Sequence, residues 1–371
     1  MILKSLSATN FKNIAHTRLD FSANVNCLLG DNGMGKSNLL DAIYFLSFCK
    51  SYTGAPDALM LMRTGPHTED FAMLQGDYLR RDMPETINIA IQPGKRKSLK
   101  RSGKEYKKLS EHIGLFPLVM VSPADMDLVN GSGEERRRLM DMVISQTDPQ
   151  YLDALIKYGR LLEQRNRLLR DGIEDANLYL SIELTMDGAA RQICDTRRRW
   201  VAQLSDIFKR YYGMIAGEAE IPSLSYSSHL AEPGISLMNL MNERRTRDAA
   251  LKYTTAGPHR DDIEMMLSGM PLRRTASQGQ AKTYTIALRL AQYEFLKQAT
   301  GITPLLLLDD IFDKLDASRV ERIMEVVSSD EIGQIFITDT HRKHLDEILA
   351  RSAGDYALFT VDHGCFTPVP L

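Results

Sequence analysis

Residues 24–45 read NVNCLLGDNGMGKSNLLDAIYF, and no other stretch restricts the fold as strongly. Val25, Cys27, Leu28 and Leu29 form a short apolar strand, and Leu39, Leu40, Ile43, Tyr44 and Leu46 continue at helical spacing. Between them Gly30, Gly35, Lys36 and Ser37 satisfy G-x-x-x-x-G-K-[ST] in the required order of strand, glycine turn and helix. Such a turn is built to hold phosphate. Its glycines let backbone N–H groups converge on phosphate oxygens, and the helix N-terminus adds positive potential. Lys36 is placed for the β- and γ-phosphates of ATP and Ser37 for Mg²⁺. The expected nucleotide-lining residues are Gly30, Asp31, Asn32, Gly33, Met34, Gly35, Lys36, Ser37 and Asn38, with Lys12 and Asn13.

A second segment, PLLLLDDIFDKLD (residues 304–316), fits that frame. Pro304 can start a strand but not sit inside a central one. Leu305 to Leu308 suit a strand buried on both faces of a parallel sheet. Asp309 and Asp310 then fall at its carboxyl end, where ligands bind in open α/β sheets. Asp309 is expected to hold the Mg²⁺ shell, and Asp310 to orient the attacking water, acting with Lys36.

A third segment, RRTASQGQAKTYTIALRLAQ (Arg273 to Gln292), passes from a polar turn into a helix. Tyr284, Ala287, Leu288, Ala291 and Phe295 lie on one face, so the pattern predicts an amphipathic helix capped by Ser277. Phosphate turn, Ser-x-Gly-Gln turn and acid-ended strand, in that order, resemble the ABC-type ATPases. Their signature turn binds the γ-phosphate of ATP held by a second copy. Ser277, Gln278, Gly279 and Gln280 match it, with Gln278 where transporters usually carry glycine. The resemblance implies donation to phosphate from the Ser277 hydroxyl and the N–H groups of Gly279 and Gln280. It also places Asp313-Lys314-Leu315-Asp316 at the D-loop. His341, after the strand Ile335 to Thr338, falls at the switch histidine that contacts γ-phosphate. A histidine in a polar stretch is equally well explained as a solvated side chain.

GDNGMGKSNLLDAI, VSPADMDLVNGSGEERRRLMD, TTAGPHRDDI, ASQGQAKTYTIALRLAQ and LLLLDDIFDKLD resemble RecF-family segments, in family order and over nearly the whole chain. Gly133 stands where the resemblance implies proline. Asp310 replaces the glutamate of transporters, as in the RecF family, and its shorter side chain implies slow hydrolysis. The resemblance implies an ATP-dependent homodimer that clamps double-stranded or gapped DNA and works with RecO and RecR to load recombinase. Alternatives from other classes are a transport motor subunit and a nuclease-associated defence protein. The first lacks an insert of this size, since about 240 residues separate Lys36 from the Ser277 turn. The second needs a nuclease domain for which no residues remain.

The expected fold class is α/β: an ABC-type head with a mixed sheet around the P-loop helix, plus an inserted helical arm. The head is assigned to residues 1–125 and 251–371, and the arm to 126–250. Strands are expected at Ile2 to Ala8, Val25 to Leu29, Phe71 to Tyr78 and Thr86 to Ile91. Glu134 to Tyr212 reads as helical, with Leu155, Tyr158, Leu162 and Leu169 on one face and a break at Gly172. Residues 213–250 read as a looser return.

The formal net charge is -2, so any nucleic-acid contact must come from local patches. GKRKSLKRSGKEYKKL (Gly94 to Leu109) holds eight Lys/Arg and one Glu, and reads as a basic hairpin. Lys95, Arg96, Lys97, Lys100, Arg101 and Lys104 are its candidate phosphate contacts; lysines on an edge strand also discourage aggregation. Arg136-Arg137-Arg138 and Arg197-Arg198-Arg199 add charge. Yet residues 131–215 balance 14 basic against 13 acidic residues, which fits a solvated face as well as a DNA tract. The four cysteines lack metal or redox spacing, and neither a leader nor a membrane span is evident. The expected location is the cytoplasm, with no membrane partner.

Overall fold

The computed structural model describes residues 1–370 except 65, 66, 233, 314, 330 and 341–354. The chain divides into two compact units, Met1–Ala124 with Gln292–Leu371, and Asp125–Ala291. Residues 251–291, placed with the head from the sequence, therefore cluster with the second unit.

The first unit holds two six-stranded sheets. One is antiparallel, in the order Ile14–Asp20, Ile2–Phe11, Ala72–Arg80, Met83–Ile91, Ser98–Arg101 and Lys104–Glu105. The other runs Leu118–Val121, Leu305–Asp309, Ile335–Asp339, Val25–Leu29, Tyr356–Asp362 and Cys365–Pro368. Its neighbours are parallel except the last pair. The helix Lys36–Phe48 packs against strands of both sheets. That double contact explains why 11 of its 13 residues are buried and why it shows no single apolar stripe.

The far end of this helix is closed by polar side chains. Cys49 takes a left-handed conformation with φ 55°, which ends the helix. Lys97 Nζ donates to the Cys49 carbonyl and lies 2.8 Å from Asp57 Oδ1. His112, fully buried, donates from Nε2 to the Leu46 carbonyl at 2.7 Å. Its Nδ1 then accepts from Tyr106 Oη at 3.2 Å. Cations and N–H donors at a helix C-terminus satisfy carbonyls left without intrahelical partners.

The long helices of the second unit include Gly133–Thr147, Pro149–Arg170 and Ala176–Ala216. Ser132, Asp148 and Asp175 cap them, each accepting from first-turn N–H groups. Gly133 is the first helical residue, a position that also tolerates proline, so this departure leaves the helix start intact. At ~1.5 Å per residue the 41-residue helix spans about 60 Å. Part of the expected loose return is ordered. Pro222–Ser227 is a strand paired antiparallel with Asp262–Leu267, and it escapes sequence reading because only Pro222 and Leu224 are buried. Pro222 begins this edge strand, where its missing N–H costs no ladder bond. The helix Gln278–Thr300 also differs from expectation: Thr283 to Tyr293 are all buried, not one face of it.

Three arginines are buried in this unit, Arg165, Arg197 and Arg289, the last paired with Asp125. Arg165 is fully buried and bonds Glu183 Oε1 at 2.9 Å, Asp248 Oδ2 at 2.8 Å and Thr254 Oγ1 at 2.8 Å. Arg197 bonds Tyr151 Oη at 3.0 Å, Pro258 O at 2.8 Å, Asp261 Oδ2 at 2.9 Å and Asp141 Oδ1 at 2.8 Å. Removing one partner of a buried pair leaves an uncompensated charge, at a cost of roughly 3–5 kcal/mol. Arg197→Met is expected to destabilise the second unit by about that much. Denaturant unfolding followed by the fluorescence of Trp200, the single tryptophan and a buried residue of this unit, reads the change; an unaltered midpoint would refute it.

Burial holds His112 neutral, with its pKa lowered from 6.5 to about 4 despite its bond to Leu46. Unfolding frees the imidazole to take a proton. The stabilising contribution is therefore complete above pH 6.5 and is lost as pH falls towards 4. His112→Gln, which keeps a donor but cannot titrate, should flatten the fall in melting temperature across that window.

Candidate functional site

The parallel register brings the polar strand ends together. Asp309 lies opposite Thr338, and Asp339 opposite Leu29, the residue before the phosphate turn. Ser37 Oγ donates to Asp309 Oδ1 at 2.9 Å, and Thr338 Oγ1 donates to the same oxygen at 2.7 Å. The Asp310 N–H donates to Thr338 Oγ1 at 3.0 Å, with Asp310 in a left-handed conformation at φ 48°. Burial pushes the Asp309 carboxyl above the usual carboxylate range, opposed by the two hydroxyls. Burial likewise lowers the Lys36 ammonium, opposed by Asp310, Asp309, Asp339 and Asp31. Lys36 Nζ donates to the carbonyls of Gly30 and Asp31, so its charge is held over the turn. Thr338 and Asp339 are site residues that sequence reasoning misses. Their only signal is the polar pair closing an apolar strand, as at Asp309-Asp310.

Two glycines of the turn are required by close approach. A side chain at Gly30 would bring its Cβ within 2.3 Å of the Val361 carbonyl oxygen on the neighbouring strand. At Gly35, where φ is 116°, it would meet the Asn13 amide at 2.7 Å. Asn13 Nδ2 donates to Met34 O at 3.3 Å and its Oδ1 accepts from Asn38 Nδ2 at 2.8 Å, so Asn13 supports the turn from behind. Lys12 is placed otherwise: its Nζ pairs with buried Asp41 at 2.6 Å, tying the turn after the first strand to the helix. Asp31, Asn32 and Gly33 are exposed on the rim.

The turn at Ser277 is a reciprocal cap. The Ser277 N–H donates to Gln280 Oε1 at 2.8 Å, and the Gln280 N–H donates back to Ser277 Oγ at 3.2 Å. The Gln280 N–H, expected to face phosphate, is thus engaged within the turn. Ser277 Oγ accepts that bond and keeps its own hydrogen to give. Gln278 and Gly279 open the helix, where backbone N–H groups have no intrahelical acceptor. Lys314 and His341 lie outside the described residues.

The basic segment forms the expected hairpin, Ser98–Arg101 and Lys104–Glu105, at the edge of the antiparallel sheet. Lys95, Arg96, Lys100 and Lys104 are exposed. Lys97 instead closes the P-loop helix, and Arg101 forms two bonds with Glu85, at 2.6 and 2.9 Å. Much of the arginine charge in the second unit is internal. Arg136 bonds Asp262 at 2.6 and 2.9 Å, Arg137 bonds the Asp261 carbonyl at 2.7 Å, and Arg197 is buried. Among the described residues no group of three or more His, Cys, Asp or Glu side chains could hold a metal ion. A Mg²⁺ site of one hydroxyl and one carboxylate needs none, because phosphates and water complete its shell. No described helix is long and apolar enough to cross a membrane.

Residues 2–364 match the profile of the RecF/RecN/SMC N terminal domain. The chain is 50% identical over 369 residues to the DNA replication and repair protein RecF of Parabacteroides distasonis, covering 100% of both. It is 48% identical to that of Porphyromonas gingivalis, covering 98% of this chain and 99% of the relative. Among solved structures it resembles the recombination mediator protein RecF-ATPrS in the RecFOR pathway, at TM-score 0.88 and 26% identity, over 99% of this chain and 98% of the other. The RecF-ATP structure gives TM-score 0.86 and 27% identity, over 99% of each. The Smc head domain of Pyrococcus furiosus, at TM-score 0.59 and 17% identity over 100% of this chain and 96% of that one, shares the fold. With an ABC-type head fold and relatives of one kind along its whole length, the chain belongs to the RecF family.

Proposed function

We propose that this protein is an ATP-dependent DNA-binding protein of recombinational repair and replication-fork maintenance, with ATP hydrolysis as its switch. One observation carries the reading. Ser37, Asp309 and Thr338 share one buried oxygen beside Lys36, at the carboxyl ends of adjacent strands in a RecF-family chain. Lys36 turns from the carbonyls of Gly30 and Asp31 to the phosphates, supported by the N–H groups of Gly30 to Asn38. Ser37 and Asp309 hold Mg²⁺, which supplies charge neutralisation at the phosphates when bound. Lys12 and Asn13 act from behind the turn. Asp310, next to the Mg²⁺ ligand, orients the attacking water, and its short side chain makes hydrolysis slow.

Ser277 to Gln280 of a second copy close over the nucleotide, so ATP joins two chains head to head. Ser277 donates its hydroxyl hydrogen and Gln278 and Gly279 their N–H groups, while Gln280 braces the cap. His341 serves as the switch residue. Loss of the γ-phosphate removes the shared ligand and releases the pair. Duplex or gapped DNA is held by its phosphates on the hairpin, through exposed Lys95, Arg96, Lys100 and Lys104, with Lys97 and Arg101 fixing the hairpin's position. RecO and RecR are its partners in loading recombinase at gaps, in the cytoplasm, with DNA stimulating the weak ATPase. The ATP named in the similar RecF structure and the repair role named for the relatives support this reading. The family assignment also tells against the transport-motor alternative.

Asp310→Asn protein should double its solution mass by light scattering when ATP–Mg²⁺ is added and remain a monomer without it. A monomer in both conditions, with nucleotide bound, would remove the sandwich. Replacing Lys95, Arg96, Lys100 and Lys104 by glutamine should weaken DNA binding. It should also reduce the salt slope by roughly 0.9 for each phosphate that is no longer neutralised. An unchanged slope would leave the hairpin as a protected sheet edge.

A further inference from the structure

The side chain of Gln280 reaches beyond the cap, to a residue outside the signature turn. Gln280 Nε2 donates to Glu220 Oε1 at 2.9 Å. The other oxygen, Glu220 Oε2, accepts from Tyr212 Oη. Tyr212 is fully buried in the last turns of the long helix Ala176–Ala216. It lies edge-on to Tyr284 at 5.8 Å and against Phe208 at 6.1 Å. Tyr284, one helical turn beyond Gln280, donates to the Ser223 carbonyl at 2.7 Å. The start of the signature helix is therefore held at two points to the segment that follows the long helix.

Glu220 and the Ser277 N–H hold the Gln280 amide from its two edges. A carboxylate only accepts, so the amide edge facing Glu220 must be the NH₂ group. That leaves Gln280 Oε1 for the Ser277 N–H, as observed at 2.8 Å. The Gln280 N–H in turn occupies a lone pair of Ser277 Oγ, at 3.2 Å, and leaves the hydroxyl hydrogen to point away from the helix. Without an acceptor at position 220 the NH₂ edge loses its partner, and the Gln280 side chain is held in the cap by the Ser277 N–H alone.

We infer that Glu220 is a positioning residue for the signature turn: by holding the Gln280 side chain it keeps the turn in the form that presents Ser277 as a phosphate donor, and it ties that form to the end of the arm helix at Tyr212. This rests on the proposed role of Ser277 to Gln280 at a second copy's ATP. The test uses full-length protein in the Asp310→Asn background, with ATP–Mg²⁺ and mass measured across a dilution series. Glu220→Ala should raise the dimer dissociation constant at least tenfold, with nucleotide affinity and melting temperature close to the parent. Glu220→Gln, which still offers an acceptor to the Gln280 amide, should restore dimerisation to within about threefold of the parent. An Ala variant that dimerises like the parent, or a Gln variant as weak as Ala, would overturn the inference. If the Ala variant loses its cooperative melt, Tyr212→Phe decides, with a shift of at least threefold expected and none refuting it. A parent that never dimerises instead defeats the sandwich itself, and the inference with it.

Discussion

A single carboxylate oxygen, Oδ1 of Asp309, accepts from Ser37 at the start of the P-loop helix and from Thr338 on the neighbouring strand. Three segments far apart in the chain converge on it: residues 30–37, 305–310 and 335–339. Burial makes the charged form costly, so the site is a poised one. The hydroxyls and the Lys36 charge support the carboxylate, while burial and Asp310 oppose it. Charges held close together in a partly buried site respond strongly to a polyanion and its metal. The same register that builds the core therefore builds the chemistry.

Charge in this molecule divides by burial more than by sequence density. Arg136 and Arg197 open runs of three arginines, yet each is bound to carboxylates. Lys97 and Arg101 sit among the densest basic residues and yet are fastened to Asp57 and Glu85. Of the eight cations in the run, Lys95, Arg96, Lys100, Lys104, Lys107 and Lys108 remain exposed, so the ion pairs withdraw two of them. A hairpin held by its own ion pairs presents these side chains without having to order itself on contact.

Helix ends carry much of the functional logic. The P-loop helix begins at a glycine turn and is closed at its other end by Lys97 and His112. The Ser277 helix begins with a reciprocal cap, and the cap also sets which polar hydrogen faces outward. A local device that stabilises a helix start is thereby made to present a donor, and a carboxylate from elsewhere in the same unit braces it.

The α/β class, the phosphate turn, the acid-ended strand and the helical insert are all legible in the residues alone. Those features are local: strand, turn and helix follow from the spacing of glycine and apolar residues within about 20 positions. The rest depends on long-range pairing. Thr338 and Asp339 join the site because parallel pairing aligns two strands that lie far apart in the chain. Pro222–Ser227 becomes a strand because Asp262–Leu267 offers it an edge. Residues 283–293 are buried on every side, where periodicity shows only one face. Arg165 and Arg197 move from surface to core because Glu183, Asp248, Asp141 and Asp261 meet them there. A charge in a sequence has no partner until the chain folds, and the partner determines whether it faces solvent, ligand or core.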